Sequence, residues 1–296
     1  EDEDIALYVQ GMLEKKNVRV HHQASLFDLQ AWEDKDDGTN GVRYTIQKFA
    51  SKEHETFDVD RALISIGRVP NYRGLGLENT KCKVTDGKIA VDDYQRCVPH
   101  QHIYCVGDAT MDIALVNMGE TEARLAIDHI YSTKKEFVPV IDNLSTIMFL
   151  DEEVAAVGMN EQQCRKANVG YLMARYGYEF VSRAVAMGDT KGFIKIIVTN
   201  DREKRVLGVR AVGPHASSVV ELASLAIHNG QSAYELSELM TAYPAITQGF
   251  QECLRMLLGR SILKPNVFPQ LVLKSWEPPS FTRGRCYQTT PPGKKG

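Results

Sequence analysis

The sequence predicts an α/β segment followed by a separate α+β domain, an antiparallel sheet backed by helices. Three observations carry this reading. First, the pattern changes along the chain: up to about residue 132 apolar strands combine with an amphipathic helix at either end, whereas from residue 144 strands and helices cluster as in an antiparallel α+β domain. Second, Ala62-Leu63-Ile64-Ser65-Ile66-Gly67 is apolar at nearly every position, as in a strand covered on both faces. Third, Ile103-Tyr104-Cys105-Val106-Gly107-Asp108 predicts a short buried strand that stops on Gly-Asp ahead of a long helix over 113–132.

The elements follow in order. Ile5, Val9, Met12 and Leu13 recur at helical spacing and predict a helix over 3–16. Asn17 stops it and Val18-Arg19-Val20 predicts a strand. Residues 25–32 and 42–49 predict strands around the turn-rich 34–41, with another from Glu55 to Val59. Residues 81–93 predict a hairpin about Asp86-Gly87. Thr133–Asn143, with Lys134-Lys135, Pro139 and no periodicity, is the expected linker. Beyond it, strands are expected at 144–150, 153–158, 171–179, 192–199 and 205–213. Helices are expected from Asn160 to about 169 and at 215–229, 232–240 and 247–258, with capping boxes at Asn160–Gln163 and Ser232–Glu235. The tail from Pro265 is expected to be extended or disordered.

Composition sets the class. Of 296 residues, 43% are hydrophobic and 25% charged, ordinary for a soluble globular chain. A net charge of −3 argues against a nucleic-acid surface. No apolar run is long enough to span a membrane. The acidic opening Glu1-Asp2-Glu3-Asp4 is unlike the basic start of a secretory signal, and its lead straight into a helix reads as a chain entered in mid-domain. The six cysteines (Cys82, Cys97, Cys105, Cys164, Cys253, Cys286) form no short-spaced pair, so neither a zinc motif nor a redox dithiol is predicted. They read as reduced thiols buried as small hydrophobes, in keeping with a cytoplasmic protein. His21-His22 are neighbours in sequence, which face opposite ways in a strand, so joint metal ligation is not expected. His215, His228 and Cys253 read as structural, and no metal site is predicted.

Asp108 is the sharpest candidate. A carboxylate where a strand ends and a helix begins lies where open α/β sheets bind ligands, and it can accept hydrogen bonds from sugar-type hydroxyls. It can equally cap the helix, a common use of Asp.

The segment Ala62–Asn71, ending Gly67-Arg68-Val69-Pro70-Asn71, and the segment Ile103–Ala109, about thirty residues later, resemble in order and spacing two segments of the pyridine nucleotide-disulfide oxidoreductase family. Phe149–Glu161 resembles that family's opening of its dimerisation domain, with Asp151-Glu152-Glu153 in place of the usual run containing Pro-Glu. Gly192-Phe193-Ile194-Lys195 and Val206-Leu207-Gly208 fit the same domain's central sheet. The likeness covers about residues 1–263 and is nearest to the dihydrolipoamide dehydrogenase, mercuric reductase and soluble transhydrogenase branch.

The resemblance implies an organisation and a chemistry. Residues 1–70 would be the C-terminal part of an NAD(P)-binding domain, 71–138 a segment returning to the FAD domain, 139–263 the dimerisation domain of a homodimer, and 264–296 a tail. Gly107 and Asp108 would lie at the FAD ribitol, Leu115 and Val116 at the flavin ring edge, and Gly67 beside NAD(P)H. Hydride would pass from NAD(P)H to flavin and on to a small-molecule acceptor. One departure stands out. Where disulfide reductases carry a His/Glu proton-shuttle pair, this chain has Tyr243 and Gln248, in Tyr243-Pro244-Ala245-Ile246-Thr247-Gln248. Phenols, with pKa about 10, are poor bases at neutral pH. Thiol–disulfide exchange through the usual pair is therefore not expected, and Tyr243 can instead be a residue of the dimer interface. Both G-x-G-x-x-G loops of such an enzyme would lie upstream, so this stretch alone is expected to hold FAD and NAD(P)H poorly. Two other readings stay open: a non-catalytic dimerisation module, and dihydrolipoamide dehydrogenase proper.

Overall fold

The computed structural model describes residues 2–33, 38–110, 113–131 and 144–279. Two units emerge, Asn17–Pro139 and a second made of Glu1–Lys16 with Val140–Gly296. The expected linker at 133–143, the turn residues 34–37 and the tail beyond 279, with Cys286, lie outside the described residues.

Helix α1 (Glu3–Lys15) forms as its apolar spacing predicts, with Glu3 and Asp4 in its first turn and Lys15 in its last, complementing the helix dipole. In the Asn17–Pro139 unit, β1 (Ala24–Glu33), β2 (Asn40–Lys48) and β3 (His54–Val59) make an antiparallel sheet in that order. Asn17, with φ of 61°, ends α1, but residues 18–22 take no strand conformation, contrary to expectation: Val18-Arg19-Val20 finds no partner among the described residues. A short hairpin follows, β4 (Val84–Thr85) and β5 (Lys88–Ile89). Asp86 and Gly87 both take positive φ, 53° and 76°, as a two-residue hairpin turn of the observed hand requires. Helix α2 (Val116–Tyr131) buries Met118, Glu122, Leu125 and Ala126 at i, i+4, i+7 and i+8.

Both predicted buried strands of this unit are corrected. Residues 61–70 form no strand, and Leu63 and Ile66 are each 93% exposed. A strand apolar on both faces needs neighbours on both edges and cover on both sides. The described residues supply neither. Ile103–Val106 is half-buried and makes only one isolated bridge, Arg96 with Tyr104.

In the other unit, β6 (Thr146–Phe149), β7 (Glu153–Gly158), α3 (Glu161–Lys166), β8 (Tyr171–Gly177), α4 (Ser182–Met187), β9 (Phe193–Thr199), β10 (Val206–Val212), α5 (Ala216–His228), α6 (Ala233–Ser237), α7 (Gln248–Leu257) and β11 (Val272–Trp276) follow in sequence. The sheet is antiparallel throughout, in the order β11-β8-β9-β10-β7-β6. Both capping boxes form, Asn160 with Gln163 and Ser232 with Glu235. The segment expected to be an extended or disordered tail instead supplies an edge strand: β11 pairs with β8, and Trp276 stacks on Tyr171 at 5.9 Å.

Strand β9 shows how the sheet sorts its faces. Ile194, Ile196 and Val198 enter the main core with Val219, Val220 and Ala223 of α5 and Phe250 and Leu254 of α7. The intervening residues face the opposite side because side chains alternate along a strand. There Phe193 packs with Ile5 of α1, Val154 and Val212. Tyr8 meets Phe193 edge-on at 5.9 Å. Lys195 belongs to this same face, and α1 covers it completely. At the sheet's inner register Gly208 faces Gly158. A Cβ on Gly208 would collide with the Met159 carbonyl, so the close approach of β10 to the end of β7 requires glycine there.

Candidate functional site

The Gly107-Asp108 turn is built from glycine packing and one buried carboxylate. Gly107–Ala109 is a single 3₁₀ turn, and Gly107 has φ of 70°, a conformation that disfavours a side chain. Gly119 of α2 lies directly against it. A Cβ on Gly119 would come within 3.2 Å of the Gly107 Cα, so the helix and the turn approach closely at the glycine of the helix. The Gly107 N–H donates to Oε2 of the buried Glu122 at 2.6 Å. Thr110 closes the turn, its N–H and hydroxyl donating to the Gly107 carbonyl at 3.0 and 2.9 Å. The turn is thus held to α2 at two points, Gly119 and Glu122, and closed on itself by Thr110.

This pinning leaves Asp108 outward. Its side chain is 58% exposed, and it makes an ion pair with Arg68 at 3.8 Å. The Gly67-Arg68 segment and the Gly107-Asp108 turn, forty residues apart, are therefore neighbours. The pair is exposed, so it contributes at most about 1 kcal/mol. No helix cap is formed by Asp108: the 3₁₀ turn begins at Val106, and α2 starts at Val116. Leu115 is half-buried at the head of α2, its N–H donating to the Ile113 carbonyl at 2.8 Å, while Val116 is 82% exposed. Gly67 has φ of 141° and open space around its Cα.

Tyr243 is 71% exposed, and its hydroxyl lies 3.0 Å from Ser182 Oγ of α4. Gln248 opens α7, and its Oε1 is buried with no hydrogen-bond partner. No hydrogen bond joins the two among the described residues. Met240 and Leu239, near Tyr243, are likewise exposed, so this end of the domain presents an apolar surface.

Sequence reasoning missed the charge cluster beneath α1. The Lys195 ammonium, wholly buried, lies 2.7 Å from Asp2, 2.7 Å from Asp4 and 3.3 Å from Glu161. Arg210 reaches Asp2 at 3.5 Å and donates from its guanidinium to the carbonyls of Val157, Val209 and Gly158. The three carboxylates, whose oxygens lie within 4.8 Å of one another, have the spacing of a cation site. Lys195 already supplies the cation. A cavity of about 340 Å³ opens beside them, lined by Asp4, Glu161, Arg165, Arg175 and Lys274 among others. A lysine two residues into a β-strand of mixed apolar sequence carries no local mark of burial; only the alternation Phe193-Lys195-Ile197 hints at it.

The described cysteines are free, as expected. Cys164 and Cys253 are fully buried core thiols, and Cys253 Sγ donates to the Ile194 carbonyl at 3.3 Å. Burial pushes the Cys97 thiol up to about 12.

Comparison with known proteins bears on both units. Residues 1–128 match the family described as pyridine nucleotide-disulphide oxidoreductase, and residues 144–254 match the dimerisation domain of the same family. Dihydrolipoamide dehydrogenase of Chaetomium thermophilum is 28% identical over 264 residues, which are 88% of this chain and 50% of that protein. Dihydrolipoyl dehydrogenase of Geobacillus stearothermophilus is 29% identical over 265 residues, 88% of this chain and 53% of the relative. The crystal structure of LpdA from Mycobacterium tuberculosis superposes with a TM-score of 0.74 at 26% identity, over 87% of this chain and 53% of that one. The HOCl-induced flavoprotein disulfide reductase RclA of Escherichia coli shares the fold, with a TM-score of 0.75 at 21% identity, over 87% of this chain and 56% of that one. The chain spans about half the length of the curated relatives it matches.

Proposed function

The chain belongs to the pyridine nucleotide-disulphide oxidoreductase family, and on that premise we propose that the protein is an FAD-dependent NAD(P)H oxidoreductase, with residues 71–138 closing the flavin site and 139–263 forming a homodimer. The observation that carries this reading is the pinned Gly107-Asp108 turn: an outward carboxylate, locked by Glu122 and Gly119, directly ahead of a sixteen-residue helix.

The residues present fit one end of a flavin cofactor. Asp108 offers exposed acceptor oxygens suited to the hydroxyls of a ribityl chain. The head of α2 at Leu115 and Val116 offers helix N-terminal N–H groups and positive dipole to an electron-rich ring edge. The diphosphate end finds no counterpart, because residues 1–296 contain no G-x-G-x-x-G loop, and no residue here is assigned to it. When bound, the flavin would supply two-electron acceptance of hydride from NAD(P)H. The chain's own contribution is positional. Glu122 fixes the Gly107 N–H, which fixes the direction of Asp108. Gly67, without a side chain, leaves room for a planar nicotinamide beside Arg68. Tyr243 and Gln248 provide no proton shuttle of the His/Glu kind, so the proposed acceptor is a small molecule reduced without that pair.

The whole polypeptide purified from its source should carry about one flavin per chain, seen as visible absorbance. A colourless protein that gains no flavin when FAD is added would overturn the reading. A second reading, a dimerisation module with no reaction of its own, rests on Tyr243 and Gln248 standing where the family carries its His/Glu pair. It requires a dimer by sedimentation together with no NAD(P)H oxidation.

A further inference from the structure

We propose that the cavity enclosed by α1, α3, β8 and β11 is a binding site for a small organic anion with two or more separated carboxylates. The site stands apart from the flavin reading and lies wholly within the unit made of Glu1–Lys16 and Val140–Gly296.

Four elements build the cavity. In the register of β11 on β8, Val272 lies opposite Arg175 and Lys274 opposite Met173. Opposed residues of an antiparallel pair share a face. On this face Met173 packs with Val272 and with Cys164 of α3. Met173 and Val272 make an apolar floor, and Leu7 of α1 adds to the wall. The Asp2 carboxylate accepts from the Glu161 N–H at 3.3 Å, which ties the start of α1 to the start of α3. The space of about 340 Å³ is that of a small-molecule site.

The charges select the ligand. Asp2, Asp4 and Glu161 are already met by the buried Lys195 ammonium, and Asp2 by Arg210 as well. The cations that line the cavity are left short of partners. Arg165 pairs with no carboxylate among the described residues, and its Nε and Nη2 donate to the neutral Tyr171 hydroxyl at 3.2 and 2.9 Å. Arg175 is held over the Phe193 ring at 5.1 Å, and its ion pair with Asp4 is long, 3.9 Å. Lys274 makes no hydrogen bond or ion pair among the described residues. With Lys195 and Arg210 behind the wall, cations outnumber the lining carboxylates, the exposed Glu3 included, by five to four. Guanidinium groups take carboxylates in a bidentate fork, with charge-assisted bonds about twice as strong as neutral ones.

The cations are also spread out. Arg175 and Lys274 are diagonal neighbours across β8 and β11, roughly 7–8 Å apart. Arg165 is held at Tyr171, on the far side of Met173 along β8. A compact ion satisfies them one or two at a time. An anion whose carboxylates are joined by a short carbon chain reaches several, and its methylenes meet Met173 and Val272. Because Asp4 and Leu7 of α1 line the cavity together with Arg175 and Lys274 of the sheet, the bound anion also joins the helix to the sheet.

The test titrates the 296-residue protein with tricarballylate as probe, by calorimetry. One probe should bind per chain. Arg175→Gln and Lys274→Gln should each weaken it by about 10-fold or more, the worth of a hydrogen bond to a charged group, and acetate and inorganic phosphate should bind at least about 10-fold more weakly than tricarballylate. Saturating probe should slow amide exchange across residues 3–15 and leave β1–β3 unchanged, since only the docked helix completes the site. Lys274 is exposed, so K274Q keeps the fold and decides alone should R175Q fail to fold. No saturable binding at millimolar probe, binding undiminished in K274Q, or exchange of 3–15 unaltered at saturation would overturn the proposal. Phosphate binding as tightly as tricarballylate would overturn it too, by making the site one for a compact anion.

Discussion

Replacing Lys195 by methionine should release α1 from the sheet. Methionine keeps most of the side-chain volume, so packing beside Phe193 and Ile197 is preserved and the change is mainly one of charge. Lys195 is 0% exposed, and three carboxylates converge on it at 2.7, 2.7 and 3.3 Å. Without it, Asp2, with a side chain 1% exposed, keeps Arg210 at 3.5 Å as its cation and the Glu161 N–H at 3.3 Å. Asp4 and Glu161, at 22% and 17%, are left as partly buried negative charges side by side, with Arg175 at 3.9 Å from Asp4 as a remaining cation. Removing one partner of a buried ion pair costs about 3–5 kcal/mol, chiefly because the other charges stay buried. At about 1.4 kcal/mol per decade, that favours the undocked helix by roughly 100-fold or more. The apolar contacts of Ile5 and Tyr8 oppose undocking but are few. Hydrogen exchange by mass spectrometry measures this directly: amides of 3–15 should exchange about 100-fold faster, or reach the unprotected rate, while those of β8–β10 keep their protection. Adding Asp2→Asn and Asp4→Asn to K195M should restore part of the loss, because no stranded charge then remains. Unchanged exchange in α1, or a triple variant worse than K195M, would refute the view that Lys195 holds the helix by neutralising its acidic start.

Three other outcomes are expected. Asp108→Ala should weaken FAD binding by the whole protein by about 10–100-fold, the worth of a hydrogen bond to a charged group, while shifting unfolding stability by under about 0.5 kcal/mol because the side chain is exposed; equal FAD titrations for both proteins would count against its role. Glu122→Ala should cost at least about 1–3 kcal/mol in denaturant unfolding, since it strands the buried Gly107 N–H, and a change within error would show the turn is held otherwise. Burial alone would raise the Asp92 carboxyl, but hydrogen bonds from Arg96 and from the Tyr94 backbone outweigh it and hold it below the usual range. A folded pKa below the unfolded one gives stability that is complete above about pH 4 and fades as pH falls through the folded value. The stability gap between the parent protein and Asp92→Asn should therefore be flat from neutral pH to about 4 and close below it, and a gap that widened on acidification would reverse the assigned sign.

Much of the fold could be read locally. α1, the Asp86-Gly87 hairpin, both capping boxes and β7, β9 and β10 each follow from periodicity or from a turn residue whose conformational needs are intrinsic. The Gly107-Asp108 turn was legible as a chain break because a short apolar run stops on glycine and a carboxylate ahead of a helical pattern. β11 was not. Its five residues carry no strong alternation, and pairing with the free edge of β8 makes it a strand. The run at 62–67 fails in the opposite direction: its composition asks for a two-faced strand, but composition cannot provide the neighbours that bury it.

By itself the sequence determined α1, both capping boxes, most strands of the 144–258 stretch and the family they resemble. Only the tertiary structure decided that Lys195 neutralises the start of α1 and that Arg68 faces Asp108. The physical reason is common to both. Each depends on pairing register and on residues far apart in the chain, and a buried charge or thiol takes its character from what is packed against it, not from its neighbours in sequence.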